Sequence, residues 1–206
     1  MKWIDLSVPI NEKMPVYPGD PAVKIEPAGD IHKNGYEDHY LSIGTHAGTH
    51  IDAPSHMIVG GATLDQVPLE NFSGRGVLIK SGMNLGLETI DGVSIQKGDI
   101  VLFHTGMSGL YREPEYYNNY PAMTEELARY LIDKKVKMVG VDMCSVDHEP
   151  FPVHKILLKE NILIIENLTN LSALDGLEFR ILAFPLKLQL DGSPARIVAE
   201  IPQTNS

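Results

Sequence analysis

Three histidines and one aspartate fall within the run Ile43-Gly44-Thr45-His46-Ala47-Gly48-Thr49-His50-Ile51-Asp52-Ala53-Pro54-Ser55-His56, in a chain with only 8 histidines among 206 residues. Gly48, the β-branched Thr49 and Ile51, and Pro54 argue against a helix here. In an extended strand, residues two apart share a face. His46, His50 and Asp52 are therefore expected on one face, with Gly44 and Gly48 on the same face leaving room for an ion. Two imidazoles and a carboxylate suit Zn²⁺, Mn²⁺ or Fe²⁺. The lack of a nearby thiol fits a catalytic site, in which an open position on the ion makes hydroxide available near neutral pH. His56 lies past Pro54, off the line of the strand, where an imidazole can act as general acid and base. A lone histidine on a strand is more often just a hydrogen-bonded polar residue. Four such side chains spaced by small residues are poorly explained that way.

A second pair lies downstream. A helix expected over Val153–Glu160 puts His154 on the face of Leu157 and Leu158. Glu166 directly follows the apolar run Ile162-Leu163-Ile164-Ile165. A buried carboxylate needs a partner, so this His and Glu could hold a second cation; alternatively, His154 is a satisfied core residue. Between the two sets, Asp142-Met143-Cys144-Ser145-Val146-Asp147-His148-Glu149 follows a strand ending near Val141. It is either a solvated loop with Asx turns or a ligand site at the strand's C-terminal end. Nothing around Ser145 or Cys144 resembles a nucleophile elbow or a triad. Tyr17 and Phe151 are candidates to line an apolar substrate pocket, and the Met14–Asp20 loop, stiffened by Pro15 and Pro18, could close over a site in its own or a neighbouring subunit.

These side chains need a scaffold. The first hundred residues read as short strands: Trp3–Val8, Ala22–Ile25, His39–Ile43, Gly76–Ile79 and Asp99–His104. A helix is expected from an N-cap at Thr124 to Lys134 or Lys135, then a strand over Val136–Val141, the helix Val153–Glu160, and a strand over Ile162–Ile165. Phe179–Leu190 and Ala195–Ile201 read as a hairpin turning at Asp191-Gly192. The pattern is α/β, a mixed sheet with a few helices packed on it, and a single domain over residues 1–206. The net charge of −10 and pI near 5.2 argue against nucleic acid or an anionic membrane as partner, leaving a small-molecule substrate. Cys144 is the only cysteine, so no internal disulfide forms. No signal-peptide pattern and no apolar run of ~18–20 residues is seen, and a cytoplasmic location is expected.

The pattern His46-x-Gly48-Thr49-His50-x-Asp52-x-Pro54-x-His56 resembles the signature of the cyclase-like metal-dependent hydrolases, which include bacterial kynurenine formamidases and isatin hydrolases. Ile4-Asp5-Leu6-Ser7, Pro15–Asp20, Asp99–Leu102 with Thr105-Gly106, Asp142-x-x-Ser145-x-Asp147 and Glu166–Leu171 resemble further family blocks, so the likeness spans most of the chain. It implies a swivelling β/β/α domain, a β-barrel-like sheet flanked by helices. It also implies a hydrolase acting on a small amide such as an arylformamide, or one opening a lactone, lactam or isatin ring; a non-catalytic binding protein on the same fold is the remaining class. In formamidase-like members one metal takes the equivalents of His46, His50 and Asp52. Asp52 bridges to a second metal held by those of His154 and Glu166, and His56 is the acid/base. The spacing of His154 and Glu166 agrees with the formamidase pattern. Isatin-hydrolase-like members use a single Mn²⁺, so the resemblance implies Zn or Mn, one or two ions per chain, in a homodimer or homotetramer. Two positions depart from the formamidase pattern. Tyr17 stands where a Trp is expected, and Val153 where the first of two tandem histidines is expected, both at the presumptive substrate pocket.

Overall fold

The computed structural model describes residues 1–202. Eleven strands form: β1 (Lys2–Asp5), β2 (Lys24–Gly29), β3 (Asp38–Ser42), β4 (His50–Asp52), β5 (Ser73–Lys80), β6 (Ile100–His104), β7 (Met138–Val141), β8 (Leu163–Glu166), β9 (Arg180–Leu182), β10 (Gly192–Pro194) and β11 (Val198–Ile201). Nine of them make one mixed, half-barrel sheet in the order β1-β11-β9-β5-β6-β7-β8-β4-β10, while β2 and β3 pair only with each other. The inner strands β5, β6, β7 and β8 run parallel, and antiparallel strands flank them on both sides. The expected mixed α/β sheet is what forms.

Period-2 alternation sorts the parallel strands between two cores. Val101, Phe103, Val139, Val141 and Ile164 pack on one face with the two longer helices, Glu125–Asp133 and Pro152–Lys159. Ile100, Leu102, Met138, Leu163 and Ile165 pack on the other with Ile51, Ile181 and Ala199. Strands buried on both faces read as continuous apolar runs, which is why 162–165 shows no polar alternation. The helix after Thr124 starts as expected: the Thr124 hydroxyl accepts from the Leu127 amide at 3.2 Å, and Glu125 and Glu126 occupy the first turn.

One expectation about the sheet needs correction. The hairpin at Asp191-Gly192 does not form. β9 and β11 do pair antiparallel, Leu182 opposite Val198, but the chain between them makes β10, which pairs with β4 at the far end of the sheet. A Gly with apolar flanks satisfies a hairpin turn and an edge strand equally well, and the partner across the sheet decided. Of the two readings left open for 142–149, the solvated loop holds only at the exposed His148 and Glu149, while Asp142, Ser145 and Asp147 are all buried. The Asp142 carboxylate accepts from the amides of Thr105 and Gly106 and from the Thr105 hydroxyl, tying two strand ends together.

No helix among the described residues is long and apolar enough to cross a membrane. At Gly76 on β5, a Cβ would run into the Phe179 ring, which caps that stretch of the second core. Gly76→Ala is therefore expected to destabilise the fold by about 1–3 kcal/mol, read as a lowered urea midpoint.

Candidate metal centre

Strand parity places the first three side chains. Ile51 points into the second core, so its neighbours His50 and Asp52 point to the helical side. Glu166 shares parity with Ile164 and points the same way, directly across the ladder from His50. The helix Pro152–Lys159 brings His154 down onto them, its Val153, Leu157 and Leu158 buried beside it. Pro54 ends β4, and the 3₁₀ turn Pro54–His56 folds His56 back toward the cluster, as expected of a residue off the strand's line.

His46 arrives by a different route from the one its spacing suggests. β4 begins only at His50, and residues 45–49 form a turn, with Gly48 at φ +64°. The empty side of Gly48 is not space for an ion. A Cβ there would meet the Met14 methyl at 2.8 Å. The glycine that makes room in the site is Gly192 on β10, opposite Asp52, where a Cβ would stand 2.8 Å from Cε1 of His46.

Donor atoms converge. The Nδ1 of His50 lies 2.8 Å from the Gly48 carbonyl, which can only accept, so Nδ1 carries the proton and Nε2 the lone pair. That Nε2 sits 3.2 Å from Oδ1 of Asp52 and 3.5 Å from Oε2 of Glu166. It is buried with no hydrogen-bond partner, as is Oδ2 of Asp52. His154 donates Nδ1–H to Asp147 and turns Nε2 to within 3.1 Å of Glu166 Oε1 and 3.7 Å of Asp52 Oδ2. Lone pairs aimed at one another in a dry site repel unless a cation stands among them. An all-N/O set of imidazole and carboxylate donors fits a borderline divalent ion. Two triads have donor atoms close enough to share an ion: His50, Asp52 and Glu166, and His46, Asp52 and His56. Asp52 belongs to both and is fully buried.

His46 is held by carboxylates at both nitrogens: Nδ1 at 2.7 Å from Asp52 and Nε2 at 2.9 Å from Asp191. Burial opposes its charge, but these two carboxylates outweigh burial and raise it to about 9. His154 behaves alike. Burial opposes protonation, yet Asp147 and Glu166 lift it to about 10. His56 goes the other way, since burial and the neighbouring His46 and His154 outweigh the Asp52 and Asp191 carboxylates and lower it. It is thus an uncharged imidazole at neutral pH. The Cys144 thiol is pushed far up by burial, which removes it as a nucleophile.

Three supporting residues were missed by spacing alone. Asp191 bonds His46 and stands 3.4 Å from His56 Nδ1. Asp147 orients His154 and accepts from the Val153 amide at 2.6 Å, at the start of the same helix. Asn167, left-handed at φ 57°, gives its amide to the Gly48 carbonyl and so fixes the turn that presents His50. Asp147 and Asn167 had a signal, the Asp142-x-x-Ser145-x-Asp147 and Glu166–Leu171 blocks, whereas Asp191 was read only as part of a turn. Tyr17 and Phe151 line a pocket of about 250 Å³ against the cluster, with Tyr117 and Met57. Val153 does not; it is buried in the helical core, so that departure from the formamidase pattern leaves the pocket wall untouched.

A half-barrel sheet that buries a His/Asp/Glu cluster beside an aromatic-walled pocket is the architecture of the metal-dependent hydrolases of cyclase type. The chain belongs to the cyclase family, whose model matches residues 4–148. It is 28% identical to a kynurenine formamidase of Bacillus mycoides over 204 residues, 96% of each chain. It superposes on isatin hydrolase A from Labrenzia aggregata, bound to benzyl benzoate, with a TM-score of 0.87 at 26% identity, covering 98% of this chain and 94% of that one. A solved structure described as a potential metal-dependent hydrolase with cyclase activity is 33% identical, with a TM-score of 0.79 and coverage of 98% and 99%.

Two outcomes are expected. In chelator-treated protein, raised imidazoles stabilise the fold below their unfolded value of 6.5, and that contribution is lost as pH rises through about 9 and 10. His56 and the lowered carboxylates Asp52 and Asp191 act only at more acid pH. Urea midpoints of the chelated protein should therefore fall from pH 6.5 to pH 10, and a flat profile would show that the two imidazoles are not carboxylate-bound. Gly192→Ala should displace the His46 ring and weaken metal uptake by roughly 10–100-fold, as supporting-residue losses do, measured by competition with a chromophoric chelator.

Proposed function

We propose that this chain is a metal-dependent hydrolase of a small aryl amide, an arylformamide in the first instance, with His56 as the acid/base. The observation that carries this reading is the unpartnered His50 Nε2 facing the Asp52 and Glu166 carboxylates beside a neutral His56. His46, His50, Asp52, His154 and Glu166 would hold one or two ions, Zn or Mn. When bound, such an ion lowers the pKa of its water from 15.7 toward ~7 and polarises the substrate carbonyl.

The remaining work belongs to the chain's own side chains. Asp147 fixes the tautomer and direction of His154, as the Gly48 carbonyl does for His50. Asp191 stands at Nδ1 of His56, which favours the proton there and leaves Nε2 as the base. His56 takes the proton from the attacking water and delivers it to the amide nitrogen as the C–N bond breaks, yielding formate and an arylamine. Tyr17, Tyr117 and Phe151 supply apolar walls for the ring. The similarity to kynurenine formamidases supports the formamide reading.

A second reading, opening of a lactam ring of the isatin type, is favoured by the likeness to isatin hydrolase A and by the compact pocket. It uses the same donors and the same proton transfer.

The test is turnover of formanilide, N-formylkynurenine and isatin by the Zn- or Mn-loaded protein. Formamide cleavage near a kcat/KM of ~10⁴ M⁻¹s⁻¹, abolished by chelation, is expected. His56→Ala should lower kcat by ~10²–10⁴-fold with metal content retained. Loss of the metal in that variant would make His56 a ligand instead. Turnover of isatin alone would select the second reading.

A further inference from the structure

We infer that this chain pairs with a second copy of itself through an apolar face built from β3, the residues that follow β1 and the segment between β9 and β10. The inference goes beyond the proposed activity and does not depend on it.

The segment carries a sequence signal that the fold leaves unused. Phe184, Leu186, Leu188 and Leu190 alternate with Pro185, Lys187 and Gln189, the pattern of a strand with one buried face. No strand forms there, since β9 ends at Leu182 and β10 begins at Gly192. Phe184, Leu186 and Leu190 are instead exposed. The segment is still held in place: the carbonyls of Leu188 and Leu190 accept from the amides of Asp65 and Leu64 at 3.0 and 3.1 Å. It makes a ridge between two hollows, and Leu186 lines both. One hollow, of about 710 Å³, adds Ile10, Leu41 and Leu190. The other, of about 250 Å³, adds Leu69 and Phe184. Leu41 comes from β3, whose five residues are all exposed. A two-stranded hairpin is marginal in water without a further layer against it.

Area, charge and shape all point to a second copy. The six large side chains Ile10, Leu41, Leu69, Phe184, Leu186 and Leu190 are between 41% and 72% exposed. At roughly 150–250 Å² apiece they offer on the order of 600 Å² of apolar surface. A standard interface takes ~800 Å² from each partner, about 60% of it apolar, so the face is large enough for a stable dimer. The chain carries a net charge of −10, and two copies repel over most of their surfaces. Here the charged residues of the larger hollow are Asp5 and Arg196, paired with each other at 2.9 Å. Those of the smaller hollow are Asp65 and Lys187, again one of each sign. A partner selected by charge finds no net charge to read. An isologous contact needs a face that fits itself, and a ridge beside a hollow lets each copy seat its ridge in the other. The ridge runs directly into Asp191, so the covered segment also carries the carboxylate that bonds His46.

Sedimentation equilibrium of the full-length chain tests this. At ~10 µM the mass should be twice 22.7 kDa. Leu186→Lys and Leu41→Asp each bury an unpaired charge in the contact and should each weaken association at least ~100-fold, leaving monomer at that concentration. Both residues are exposed, so both variants should fold, checked by an unchanged far-ultraviolet circular dichroism spectrum. If one of them misfolds, the other decides. Met83→Lys, at an exposed residue outside both hollows, should remain dimeric. A parent chain that is monomeric at ~100 µM would overturn the proposal and leave the face to a different protein. A dimer that survives both Leu186→Lys and Leu41→Asp would put the contact on another face and overturn it equally.

Discussion

Two carboxylates, Asp52 and Glu166, lie buried within reach of the same imidazole nitrogen, and the rest of the site follows from that constraint. Removing a carboxylate from water costs several kcal/mol even after relaxation. Here two of them share a dry space with His46, His50 and His154, and only positive charge among them offsets the cost. Protons on His46 and His154 supply it in one state, and a divalent ion can supply it in another. His56 stays neutral in the same site, because burial disfavours its charge and the imidazoles beside it already answer the carboxylates. The neutral imidazole that the proposed acid/base role requires is thus a product of burial and of the charges around it.

The sheet is built to hold that arrangement still. His50 and Glu166 face each other across one β-ladder, so their separation is set by hydrogen-bonded backbone and not by side-chain choice. On the other flank β10 pairs with β4, setting Gly192 opposite Asp52 and Asp191 at the two outer histidines. Each imidazole nitrogen turned away from the centre has its own acceptor: the Gly48 carbonyl for His50, Asp147 for His154 and Asp191 for His46. Rigid outer contacts of this kind orient the donors before any ion arrives. Asp147 joins this role to a second one, since its carboxylate also accepts from amides at the start of the helix that carries His154.

The pocket borders the cluster on its open side. Aromatic walls narrow it to about 250 Å³, and the one thiol nearby is held protonated by burial. Charge is concentrated at the floor, in the cluster, and at Asp20.

Much of this was legible in the residues. His46, His50, Asp52 and His56 stood out by type and spacing, and the parity of His50 with Asp52 was read correctly because both lie on one strand. His154 and Glu166 were legible as polar residues on otherwise apolar faces, and the mixed sheet followed from alternating helix and strand signals. What spacing could not supply was anything set by pairing between distant segments. The strand was extended back to His46, where a left-handed Gly48 in fact turns the chain. Asp191-Gly192 carried a local hairpin signal, yet the tertiary partner, β4, made it an edge strand and put Asp191 on two histidines. Donor types and their local faces are properties of a few neighbouring residues, so the sequence by itself determined them. The register of β10 on β4 and the convergence of Glu166 and His154 on Asp52 depend on contacts between residues a hundred or more positions apart, and the burial that keeps His56 neutral follows from the same closure. Those were decided only when the sheet closed around them.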